Sequence, residues 1–73
     1  MSKLIMNAVY AEAEAKELKS IANLQNYMVN SAGIGEHPDI VGECSKLVKD
    51  IAEAREIKET VKKILDDSTE NNE

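Results

Sequence analysis

All three glycines and the single proline of this 73-residue chain lie between residues 29 and 43, in VNSAGIGEHPDIVGE. Glycine and proline are the two residues least compatible with a helix interior, glycine through backbone entropy and proline through its missing N–H and its ring. Residues 3–32 contain neither, and nothing after Gly42 does. A chain punctuated once can form two long elements and one connection. The element type follows from where the apolar residues recur.

Leu4, Ala8, Ala11, Ala15, Leu18, Ala22, Gln25, Val29 and Ala32 follow one another at alternating spacings of four and three. That is the period of a helix packed along a seam, and no period-two alternation competes with it. Ile40, Cys44, Leu47, Ile51, Ala54, Lys58, Val61 and Leu65 repeat the pattern. Val41 and Val48 widen this second seam early, and Ile57 and Ile64 widen it late. The opposite face of the second helix is charged, with Lys46–Asp50, Lys49–Glu53, Arg55–Glu59 and Glu59–Lys63 four residues apart. Each such pair contributes roughly 0.2–0.5 kcal/mol and reads as a solvated surface.

The sequence therefore predicts an all-α fold in one domain. Helix 1 spans about 3–32, a turn 33–37, helix 2 about 38–66, and a disordered acidic tail 67–73. Gly33 suits the left-handed position that ends a helix, with Ile34 packing back on Val29. Pro38 suits the first turn of helix 2. Asp39 and Glu43 place negative charge at that N-terminus, and Lys62 and Lys63 in the last turns complement the other end of the dipole. Gly42, just inside helix 2, costs roughly 1 kcal/mol against alanine and marks a close approach near the turn. A connection this short makes the helices antiparallel. Folding about residue 35 sets Ala22 against Val48, Leu18 against Ile51, Ala15 against Ala54 and Arg55, Ala8 against Val61, and Gln25 against Cys44 and Ser45. It also brings Lys58 near Glu12.

Two helices form a small core, and chains this short usually need a disulfide, a metal or a partner. One cysteine excludes an intrachain disulfide, which fits a reducing, cytoplasmic setting. Helix 1 carries a second stripe of Met6, Tyr10, Ala13, Ile21, Leu24 and Met28, and no charged residue occurs from Ser20 to Gly35. An apolar-rich, uncharged helix end is an interface signal. The expected assembly is a homodimer, two hairpins making a four-helix bundle. Its expected interface residues are Met6, Tyr10, Ile21, Leu24, Met28, Ile57 and Ile64.

The remaining side chains argue against most chemistries. His37 and Cys44 are the only soft metal ligands. Seven residues apart on a helix, they stand about 10 Å apart along the axis, too far for one ion with bonds of about 2 Å. The same spacing denies them a nucleophile–base contact. No phosphate loop or nucleophile elbow occurs, so neither a metal, a cofactor nor catalytic residues are expected. The net charge is −5, and residues 36–73 hold eleven acids and six bases. Such a chain repels nucleic acid and anionic membranes at long range. No basic groove surrounds Tyr10 or Tyr27 to make them base-stacking platforms. No apolar run is long enough to span a bilayer, and LIMNAVYA, interrupted by Asn7, is too short for a signal peptide.

The run NLQNYMVNSAGIGEHPDIVGECSKLVKDIAEA resembles small helical proteins of T4-like phages, cyanophages included, with AGIGEHPDI and its flanking helices carrying the likeness. That resemblance implies a phage accessory protein in the host cytoplasm, with a host or virion protein as partner and no defined activity. In architecture alone the hairpin resembles the RNA-binding Rop proteins, dimers of antiparallel hairpins, although none of their sequence motifs is present. Phage tail-fibre assembly chaperones, small, acidic and helical, are a more distant analogy. The expected function is a non-enzymatic, self-associating interaction module. A Rop-like RNA-binding bundle and a small assembly chaperone are the alternatives.

Overall fold

A computed structural model describes residues 2–30 and 39–71, with side-chain surroundings for 3–30 and 39–67. Helix α1 is Ser2–Asn30 and helix α2 is Ile40–Asn71. They pack side by side as a rod of 58 × 15 × 14 Å. The pairing is antiparallel. Tyr10, early in α1, meets Lys62, late in α2, while Glu17 in mid-α1 meets Arg55. The described residues are all helical apart from Asp39.

The start of α2 is built by a cap. Asp39 Oδ1 accepts a hydrogen bond from the Gly42 N–H at 2.9 Å, and its carbonyl accepts one from the Glu43 N–H at 3.1 Å. Asp39 thus occupies the N-cap position and supplies one of the donors left unpaired at a helix start with an acceptor. Gly42 explains itself here. A Cβ at that position would stand 2.7 Å from the Asp39 Cγ, so the close approach marked by this glycine is that of the capping carboxylate. Glu43 lies in the first turn, as the dipole favours. Ala32, Gly33, Ile34, His37 and Pro38 lie outside the described residues.

Helix α2 continues to Asn71, five residues past the predicted end at 66, because no proline or glycine intervenes to stop it. Lys62 and Lys63 accordingly sit well inside the helix, and its last turn holds no basic residue.

On α2 the predicted seam is the packed one. Ile51, Ala54 and Val61 are buried, and Ile40, Cys44, Leu47, Lys58 and Leu65 are half-buried. Val41, Val48, Ile57 and Ile64 remain exposed on its flanks. On α1 the structure overturns the prediction. Leu4, Leu18 and Val29 are 74%, 60% and 78% exposed, and Ala8, Ala11, Ala15, Ala22 and Gln25 are exposed beside them. The face turned to α2 carries Ala13, Glu17 and Ser20, all buried, flanked by half-buried Met6, Val9, Tyr10, Ile21, Leu24 and Tyr27. Both stripes obey the same four–three spacing, so periodicity alone cannot choose between them. Burial favours the stripe with larger apolar bodies, since stabilisation scales with the apolar area removed from water. The alanine-rich stripe offers little area against Ile51, Ala54 and Val61.

Candidate interaction surface

The inner face of α1 is held in register by ions. Among the described residues Glu17 is the one charged side chain buried on this face, at 9% exposure, one turn from buried Ser20. Its Oε2 accepts a hydrogen bond from Arg55 Nε at 2.7 Å. Its Oε1, sealed from solvent, lies 2.6 Å from Lys58 Nζ, a charge contact not angled as a hydrogen bond. Lys58 reaches 3.8 Å from Glu14 and stands 5.5 Å from the Tyr10 ring centroid, with Lys62 at 6.0 Å from the same ring. A cation over an aromatic face is attracted by the ring quadrupole. The Arg55 hydrogen bond, and after it Lys58, holds the Glu17 carboxyl below the usual carboxylate range. Glu17 in turn raises the Lys58 ammonium above its ordinary value. Lys58 was expected beside Glu12. It sits between Glu14 and Glu17 instead, because Glu12 lies on a different side of α1.

Lys58 lies on the α2 seam as its spacing predicts, whereas its partner Glu17 is not among the residues that the spacing of α1 singles out. One signal was present. Glu17 and Lys58 each interrupt an apolar stripe, with opposite charge, at nearly matching heights in an antiparallel hairpin.

The predicted interface residues do not form one free patch. Met6, Tyr10, Ile21 and Leu24 are half-buried on the side facing α2. Met28 is exposed at the edge of that side, and Ile57 and Ile64 are exposed along one flank of α2. Among the described residues a contiguous exposed apolar surface is the other stripe of α1, formed by Leu4, Ala8, Ala11, Ala15, Leu18, Ala22 and Val29. At 3.6 residues per turn it is centred about 160° from the face that packs on α2. Helix α1 is therefore apolar on two opposite sides, whereas α2 is apolar inward and charged outward.

Side grooves run between the helices. One, about 400 Å³, is bounded by Lys16, Lys19 and Lys46 together with Glu43 and Asp50. Its mixed charge selects neither an anion nor a cation. Another, about 370 Å³, is bounded by Val9, Glu12, Ala13, Lys16 and Ile57. Cys44 is a half-buried free thiol within the helix interface. Among the described residues no group of three His, Cys, Asp or Glu side chains could hold a metal ion, and no helix is long and apolar enough to cross a membrane. Comparison with protein-family models, curated proteins and solved structures finds no match to this chain.

Proposed function

We propose that this chain is a non-enzymatic protein–protein interaction module, a helical hairpin that acts through self-association. The observation that carries the reading is the exposed apolar stripe on the outer side of α1, opposite the face that packs on α2. The hairpin alone encloses little. Its buried apolar side chains among the described residues are Ala13, Ile51, Ala54 and Val61, and none of the large ones is completely enclosed. A protein this small usually needs further burial to be stable. The outer stripe supplies it, and a second copy is the partner always present at equal concentration. Within this proposal, the resemblance to small phage proteins sets the biological context as an accessory protein whose assembled form engages a host or virion component.

Static light scattering over about a hundredfold concentration range tests the proposal, because association is governed by mass action. A mass rising above that of the 8.1 kDa chain supports it. A constant 8.1 kDa species overturns it.

A further inference from the structure

The outer stripe of α1 has a second property, which rests on the self-association reading and sharpens it. We infer that a second copy docks on this stripe antiparallel, α1 against α1, about a two-fold axis that runs between the two helices at the level midway between Ala15 and Leu18. In that register Leu4 meets Val29 of the second copy, Ala8 meets its Gln25, Ala11 its Ala22, and Ala15 its Leu18. The stripe is thus complementary to itself along its whole length, about 38 Å at 1.5 Å per residue. A two-fold interface requires this reciprocity.

Charge selects the register. Glu12 and Lys19 flank the stripe on one side, are exposed, and take no part in the ion pairs found among the described residues. In the proposed register Glu12 of each copy lies beside Lys19 of the other, giving two symmetric ion pairs. Sliding one copy by a heptad in one direction sets Glu12 against Glu12. Sliding it the other way sets Lys19 against Lys19. Either slip also leaves part of the stripe uncovered.

Packing selects the direction. In a parallel pair each residue meets its own copy, so a wide Leu18 layer would fall between two narrow alanine layers. The helices could not then keep one separation, and close packing would be lost. Antiparallel docking sets Leu18 against Ala15 in both central layers, so no leucine stacks on its own copy at the middle of the stripe. The one flanking ion pair a parallel arrangement would offer, Glu14 with Lys19, uses a carboxylate already turned toward Lys58. Since the stripe lies opposite α2, the joined hairpins form a row, α2–α1–α1–α2, rather than a square-cornered four-helix bundle.

Disulfide trapping tests the inference on the full chain carrying Cys44→Ser. Ala11→Cys and Ala22→Cys are prepared separately, mixed and oxidised. The expected result is a mixed Ala11→Cys/Ala22→Cys dimer, with neither variant cross-linking to itself. Self-cross-linking of each variant, without the mixed product, overturns the antiparallel register while leaving self-association standing. Failure of any cross-link in a chain that light scattering shows to be dimeric removes the outer stripe as the interface. Failure with a monomeric chain removes self-association as well. Because both alanines are exposed, the substitutions leave the hairpin fold intact, and circular dichroism of each variant checks that directly.

Discussion

Lys58 Nζ lies 2.6 Å from Glu17 Oε1 at the centre of the hairpin, where two apolar seams are each interrupted by one charge of opposite sign. The pair fixes how far one helix is slid along the other, since moving by a turn would leave a largely buried carboxylate without its cations. Removing one member of such a pair is more damaging than never having had it. Glu17→Gln keeps the shape and removes the charge. It is expected to lower the melting temperature at neutral pH, and thermal melts followed by circular dichroism check it.

The same pair sets a pH dependence. The folded-state pKa of Glu17 is lowered, so its contribution is fully present above the ordinary value of 4.5 and is lost as pH falls below it. The pKa of Lys58 is raised, so its contribution is present below the ordinary 10.5 and is lost as pH climbs through the higher folded value. The difference in melting temperature between wild type and Glu17→Gln is therefore expected to be widest between these limits and to shrink as pH drops below 4.5. A difference that grows on acidification would contradict the assignment.

The cap at α2 gives a non-additive pair. Asp39→Ala is expected to cost about 1 kcal/mol, the usual loss on removing an N-cap. Gly42→Ala alone should yield less than the roughly 1 kcal/mol that alanine gains over glycine in a helix, because its methyl displaces the capping carboxylate. With Asp39 already replaced, the same substitution should yield nearly the full gain. Urea melts of the four chains measure the coupling. Strict additivity would show that the carboxylate does not sit over Gly42.

The buried seam predicts where added volume is not tolerated. Ala54 is 1% exposed. Ala54→Leu is expected to destabilise by roughly 1–3 kcal/mol through overpacking. Ala52→Leu, two residues away on an exposed position, should stay within about 0.5 kcal/mol. Equilibrium unfolding of both variants checks the contrast.

Much of this architecture was legible because α2 is one-sided. Its charged outer face left Ile40, Cys44, Leu47, Ile51, Ala54, Lys58, Val61 and Leu65 as the only stripe that could turn inward, and they do. The confinement of glycine and proline to residues 29–43 made two helices the simplest reading. Helix α1 was not legible in the same way. Its two stripes share one period and stand nearly opposite, so spacing identifies both and ranks neither. The ranking came from properties that spacing ignores: the bulk of Tyr10, Ile21 and Leu24 against the alanines, and the two cations waiting for Glu17 on α2. The end of α2 is hidden from composition: DDSTEN is polar and acidic, yet it holds no helix-breaking residue, and the helix runs on to Asn71.

The central claim is that α1 uses one face for α2 and the opposite face for a second copy. Leu18 is 60% exposed in the hairpin and lies at the middle of the outer stripe. Sedimentation equilibrium of Leu18→Glu beside the wild type tests the claim most directly. A charge placed in a dry interface costs several kcal/mol, whereas one on an exposed helix surface costs about 0.5 or less. The account predicts twice the 8.1 kDa chain mass for the wild type and the single-chain mass for Leu18→Glu at the same concentration. Equal masses for the two chains would contradict it.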